Sequence, residues 1–255
     1  MQLDLTRPHT GRVLDYWLGG SHNFEVDRQL AHQVAKSFPV AVQVTKDSRA
    51  MVRRCVEYFH AHGIRAILDF GASLPTTENT HIVANAIDPQ MLVVYSDIDP
   101  IIYAYGQELL QGNPNAIYLQ ADAATPHVVL DSPLTRQLIG DERRVGFVFL
   151  NLALFLEDDA LRQSWRALYD WAAPGSYLAV SSSNKNWLSD PELTPARDNY
   201  RNANIIVRFR TVEETLALAS PWQLTEEGIA VNASWGLTLS HAPAHDIGYS
   251  MMFRK

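Results

Sequence analysis

The chain opens on stretches with helical periodicity. Between Arg12 and His62 polar and apolar positions follow the helical repeat, and Val52, Cys55, Val56 and Phe59 recur at the spacing of one apolar face. Gly63 stands where a helix in this register stops, at the position that favours a left-handed residue. Before that helix lies a turn-rich loop, Leu18-Gly19-Gly20-Ser21-His22-Asn23-Phe24.

From Ile64 the pattern changes. Ala66–Phe70, Met91–Ser96, Ala116–Gln120, Val145–Leu150 and Ser176–Val180 are short apolar runs that read as buried strands. Helices are expected between them, starting near Asn79, at Pro100 and at Glu157, the last reaching Trp171. Such alternation predicts a parallel sheet built from right-handed crossovers. Further on, Thr211-Val212-Glu213-Glu214 is a capping box that opens one more helix. Gln223–Val231 and Gly248–Arg254 follow with no helix-length pattern between them, which predicts antiparallel neighbours at one sheet edge. The expected fold class is α/β: a mostly parallel, seven-stranded Rossmann-like sheet ending in an antiparallel C-terminal hairpin. Residues 1–62 read as a helical cap segment and residues 63–255 as the core, in one structural domain.

Composition narrows the partners. At 255 residues, 47% hydrophobic and 19% charged, the chain suits one large globular domain. A net charge of −7 repels a phosphate backbone, and no run of Lys and Arg gathers a basic patch, so nucleic acid is not an expected partner. Cys55 is the single cysteine, which excludes an internal disulfide and a multi-cysteine metal site. The apolar stretch Val145–Leu156 is too short to span a bilayer, and residues 1–10 lack a signal-type apolar core. A cytoplasmic protein without a membrane partner is the default reading, and a homodimer is compatible with it.

Three strand ends carry ligand chemistry, and in an open parallel sheet ligands bind beyond the carboxyl ends of the strands. After the first strand runs Asp69-Phe70-Gly71-Ala72-Ser73, where Gly71 permits a sharp turn whose backbone N–H groups could hold a carboxylate. After the second comes Asp97-Ile98-Asp99-Pro100, with Asp97 placed to accept both hydroxyls of a ribose. After the third, Asp122-Ala123 offers a carboxylate to an adenine amino group. A nicotinamide dinucleotide is disfavoured, because the second and third glycines of its fingerprint are Ser73 and Thr76 here.

Arg12-Val13-Leu14-Asp15-Tyr16-Trp17-Leu18-Gly19-Gly20, with Asn23-Phe24 and Asp27-Arg28, forms one distinctive run, and Gly63-Ile64-Arg65 with Leu68-Asp69 another. Leu74-Pro75-Thr76 with Asn79 and His81, Val93-Val94-Tyr95 with Asp97 and Asp99-Pro100, and Arg210–Glu214 with Gly228 extend the pattern across most of the chain. On these residues the sequence resembles a bacterial family of S-adenosylmethionine (SAM)-dependent methyltransferases of unknown substrate. The resemblance implies a class I methyltransferase fold, SAM as cofactor and an N-terminal helical lid over the cofactor cleft. Ser73 departs from a usual glycine, Ser21-His22 from a usual Lys-Asp, and Phe155-Leu156-Glu157 from a usual His-type pair after the fourth strand. Ser73 either takes an ordinary conformation or strains the loop, since a left-handed non-glycine costs on the order of 1 kcal/mol.

The expected cofactor-binding set is Tyr16 and Asn23 from the cap, Asp69, Gly71, Ala72 and Ser73, then Asp97, Ile98, Asp122, Ala123 and Asn151. Asn151 interrupts an apolar run at the end of the fourth strand, where it must satisfy its hydrogen bonds or meet a ligand. His22, in the glycine-rich loop, and His81, after the Gly71 loop, are the candidate general bases. Tyr16, Trp17 and Phe24 could line an acceptor pocket, and Asn184, Lys185, Asn186 and Trp187 fall in the segment expected to define acceptor choice. His60 with His62, and His241 with His245 and Asp246, lack a metal-ligand spacing, so no metal is expected. The leading expectation is a methyltransferase acting on a small molecule. The alternative is a catalytically silent SAM-binding protein, a sensor or partner subunit, motivated by Ser73 and the lack of a clear base.

Overall fold

The computed structural model describes residues 5–74, 79–183, 194–236 and 248–255; Pro75, Thr76, Asn184–Trp187, His241, His245 and Asp246 lie outside them. Three helices come first, α1 (Thr10–Trp17), α2 (Glu25–Ser37) and α3 (Ala41–Ala61). β1 (Ala66–Phe70), α4 (Thr80–Ile87), β2 (Leu92–Asp97), α5 (Pro100–Leu109) and β3 (Ala116–Gln120) follow. Then come α6 (His127–Leu130), α7 (Pro133–Ile139), β4 (Gly146–Leu150), α8 (Asp158–Trp171) and β5 (Tyr177–Ser183). α9 (Thr194–Asn202), α10 (Val212–Ala219), β6 (Gln223–Val231) and β7 (Gly248–Arg254) complete the described chain.

The strands form one seven-stranded sheet in the order β3-β2-β1-β4-β5-β7-β6. β1 to β5 run parallel, and β7 runs antiparallel to both of its neighbours. Strand order reverses between β1 and β4, so the loops leaving their carboxyl ends diverge and open a crevice there.

Apolar side chains cover both faces. Trp165 of α8 and Trp222 pack with Phe147, Phe149 and Phe253 on one side. Met51, Cys55 and Phe59 of α3 pack with Ile67, Val93 and Ile102 on the other. Each such side chain contributes roughly 1.5–3 kcal/mol by leaving water. Gly146 makes the second face possible, because a Cβ there would sit 2.5 Å from the Phe59 ring.

β7 refines the expected edge pair. It lies inside the sheet between β5 and β6, because Met251, Met252 and Phe253 are apolar toward both faces and all three are buried. β5 in turn runs on to Ser183, paired with β7 along its length. The apolar pattern does not announce α6, α7 or α9. α9 is largely polar, with Ala196 its one buried residue, yet it packs against α2. Val13, Leu30, Ala31, Val34 and Ala41 form a small separate core, against which Tyr200, Ala203 and Ile205 pack. Asn199 Nδ2 also donates to the carbonyl of Gln33 at 3.1 Å.

Candidate functional site

The loop after β1 sets the floor of the crevice. Gly71 has φ +61°, and a Cβ on it would come within 2.7 Å of Leu152. Ser73 takes φ +60°, so the glycine-like conformation is kept without glycine. Several contacts hold it there. Its N–H donates to Asp97 Oδ2 at 3.1 Å, its Oγ donates to the Gly11 carbonyl at 3.0 Å, and Tyr118 Oη donates to its carbonyl at 2.9 Å. The Ala72 N–H is also engaged, donating to the Ser96 carbonyl at 3.0 Å. These two N–H groups serve the protein's own acceptors.

Two buried carboxylates face the crevice from the strand ends. Asp97 accepts from the N–H groups of Ser73 and Asp99, one on each oxygen, and each oxygen retains a further lone pair. Burial pushes its pKa up, against the opposing pull of His9 and the two N–H donors. Asp69 accepts from Thr80 Oγ1 at 2.5 Å, and burial pushes its pKa up to about 6, with Thr80 and the Arg49 charge pulling the other way.

The cap is fastened to this floor by charge. Arg12 of α1 is 2% exposed; its Nε lies 3.1 Å from Asp27 Oδ2 and its Nη1 3.4 Å from Asp99 Oδ2. Its Nη2 donates to the Arg7 carbonyl at 2.6 Å. His9 Nδ1 approaches Asp99 at 3.4 Å. Asp99 also caps α5 by accepting from the Ile101 N–H at 2.7 Å. The acid that starts α5 therefore anchors α1 as well.

Three cavities meet beneath the cap. One, of about 360 Å³, is bordered by Gly11, Ser73, Asp97, Ile98, Asp122 and Ala123. A smaller one, of about 60 Å³, is bordered by Ser48, Arg49, Asp69, Gly71 and Ala72. A third, of about 140 Å³, is mostly apolar, with Trp17, Phe38, Phe155, Tyr200 and Phe209 in its walls. Leu14 and Asn151 border all three.

Asn151 is half-buried at φ +54°, just past β4, and its N–H donates to Ser181 Oγ at 2.9 Å. Ser181 Oγ in turn donates to Asn151 Oδ1 at 3.1 Å. With Oδ1 so engaged, the Nδ2 hydrogens remain as donors at the junction.

The predicted residues divide into two groups. Asp69, Gly71, Ala72, Ser73, Asp97, Ile98, Asp122, Ala123 and Asn151 all border the cavities. Tyr16, His22, Asn23 and His81 border none of the three. Tyr16 pairs its hydroxyl with His32 Nε2 at 2.8 Å on the cap surface. Asn23 braces its own loop, donating to Asp15 Oδ2 at 2.8 Å and accepting from Arg28. The His22 N–H donates to the same Asp15 oxygen, and its ring packs edge-on against Tyr105, centroids 4.4 Å apart. His81 is buried, with Nδ1 2.9 Å from Tyr95 Oη, and burial holds its pKa below the usual histidine value. Of the proposed aromatic lining, Trp17 borders the apolar cavity.

Sequence reading missed a stripe on α3. Thr45, Ser48, Arg49 and Val52, at the helical repeat, all border the smallest cavity. Ser48 Oγ is buried with no hydrogen-bond partner among the described residues, and Arg49 Nη2 donates to the Leu74 carbonyl at 3.2 Å. The signal was available, since this polar stripe continues the apolar face of Val52, Cys55, Val56 and Phe59.

Comparison with known proteins places this geometry in context. A sequence model of the S-adenosyl methyltransferase family matches residues 1–252. The crystal structure of a candidate methyltransferase from Thermobifida fusca YX is 31% identical, with a TM-score of 0.91 over 99% of this chain and 96% of that one. A DUF574-family protein from Streptomyces avermitilis is 28% identical, with a TM-score of 0.91 over the whole of both chains. Human N-acetylserotonin methyltransferase, solved with SAM, shares the fold at 13% identity and a TM-score of 0.52, over 89% of this chain and 57% of that one. No curated protein matches the chain in sequence.

Proposed function

The chain belongs to the S-adenosyl methyltransferase family, and from that premise we propose that it methylates a small molecule enclosed beneath its cap. The observation that carries this reading is the junction at Leu14 and Asn151, where the polar crevice and the apolar cavity meet.

The residues fit SAM by their donor and acceptor chemistry. Asp97 has lone pairs to spare for the ribose hydroxyls, and Asp122 with Ala123 borders the space for adenine. Asp69 would take the ammonium of the methionine part. Arg49 and the unpartnered Ser48 Oγ would take its carboxylate. When bound, SAM supplies an electrophilic methyl group, so alignment and exclusion of water are what the chain must add. Gly11 and Leu14 of α1 close the crevice from above, and Arg12 holds them down through Asp99. Asn151 orients what lies at the junction through its Nδ2 donors.

Calorimetric titration with SAM and its demethylated product SAH tests the reading. Binding of both is expected, with a marked loss in Asp97→Asn while the thermal unfolding profile of that variant stays cooperative. Failure of the unaltered protein to bind either compound would end the proposal. So would turnover that proceeds only on a macromolecular acceptor.

A further inference from the structure

Resting on the reading above, we propose that the methyl acceptor is a planar molecule built on a single aromatic ring, carrying its nucleophilic O, N or S atom toward Asn151. Size comes first. The apolar cavity measures about 140 Å³, and an engineered protein cavity of about 150 Å³ binds benzene. One ring fills the space, and two fused rings would not enter without displacing a wall.

The walls argue for an aromatic guest. Trp17 of α1, Phe38 after α2, Phe155 after β4, Tyr200 of α9 and Phe209 surround the cavity from five segments. Rings meeting a ring gain from offset and edge-on contacts beyond the area they cover. Val13, Val44, Leu154 and Val207 add to a mostly apolar wall, with Arg197 as its one charged member, where a flexible polar guest would lose hydration for few contacts in return.

Orientation follows from which walls are shared. Thr10, Leu14, Asn151 and Phe155 also border the cavity that holds Asp97 and Asp122 in its walls, so they mark the end that faces the methyl donor. Tyr200 and Phe209 border neither cofactor-side cavity and mark the opposite end. A ring with its heteroatom at the shared end points a lone pair at the junction. That lone pair forms the new bond to the methyl carbon as the carbon–sulfur bond breaks. The electron pair of the broken bond stays on sulfur, which leaves as neutral SAH, and any proton on the nucleophile passes to bulk water.

The test measures binding without turnover. The full-length protein, saturated with SAH, is titrated by calorimetry with phenol, aniline and thiophenol, and in parallel with 2-naphthol and 1-hexanol. Single-ring compounds are expected to bind about tenfold or more tightly than the two-ring and open-chain probes. Two variants read the cavity directly while leaving the SAH site untouched. Ala196→Leu should fill the cavity and abolish ring binding, and Leu154→Ala should enlarge it and admit 2-naphthol. Equal affinity for naphthol and phenol in the unaltered protein would overturn the inference. The same holds if single rings fail to bind while SAH binds normally. If SAH itself does not bind, the broader reading falls with it.

Discussion

Ser73 sits at the point where strain and linkage compete, and replacing it by glycine separates them. Holding a non-glycine at φ +60° costs on the order of 1–2 kcal/mol relative to glycine. The Oγ bond to the Gly11 carbonyl returns about 1 kcal/mol, and it joins the cofactor loop to the cap. Ser73→Gly removes both, and adds about 0.5–1 kcal/mol of freedom to the unfolded chain. Overall stability should therefore move by no more than about 1 kcal/mol, or about 2–4 °C in Tm for a chain of this size. The cap, however, loses about 1 kcal/mol of attachment where it closes the crevice, which is about a fivefold faster release of bound cofactor product. Ser73→Ala keeps the strained backbone and loses the same bond. It should release product as fast as the glycine variant, with a lower Tm. Stopped-flow displacement of SAH gives the rates, and calorimetric unfolding gives the stabilities. Slower release from Ser73→Gly than from the unaltered protein would refute this reasoning, because it would mean that loop strain, not the link to Gly11, governs the site.

Further outcomes follow from the buried charges. Asp69, with a pKa of about 6 in the folded protein and about 4 in the unfolded chain, binds its proton more tightly when folded. Its contribution to stability is full below about pH 4 and is lost as pH rises through about 6. A ligand ammonium needs the ionised form, so SAM affinity should run the opposite way, about tenfold weaker at pH 5 than at pH 7. Titrations of the unaltered protein and Asp69→Asn should differ in slope, and parallel profiles would sink the assignment. Arg49→Gln should weaken SAM by roughly ten- to a hundredfold through loss of a charge-assisted bond, yet leave adenosine affinity unchanged. An equal loss for both ligands would place Arg49 in fold maintenance instead. Arg12→Ala strands the buried Asp27 and Asp99, and should cost about 3–5 kcal/mol by denaturant unfolding. A cost under about 1 kcal/mol would mean that water reaches the cluster.

The sheet was legible because its strands are apolar runs bounded by turns, and β1 and β3 occupy the expected residues. The acids at the strand ends were legible for a related reason: a carboxylate just past a buried run has few roles. Asn151 stood out by breaking such a run. What escaped was direction. A glycine-rich loop does not disclose which way His22 points, and here Asp15 draws the loop back so that the ring lies on Tyr105. Nor does a sequence tell that the N–H groups of Ala72 and Ser73 turn inward to Ser96 and Asp97. Arg49 escaped because α3 was read for its apolar face alone. α9 escaped because it carries little apolar signal of its own, and its place is set by a surface that α1 and α2 create.

That shared surface has a consequence for the order of assembly. Val13, Leu30 and Val34 are synthesised well before Tyr200 and Ile205, which cover them. The helices of the cap must wait, half-covered, until the sheet has formed and carried α9 back to them. Closing so long a loop has a cost that the preceding structure has largely met by then. The cap should therefore be the last unit to fold and the first to come away, a region whose amides exchange with solvent before the strands loosen. Access to the crevice would then be a local opening of the least stable part of the fold, drawing on the same contacts that finish its folding.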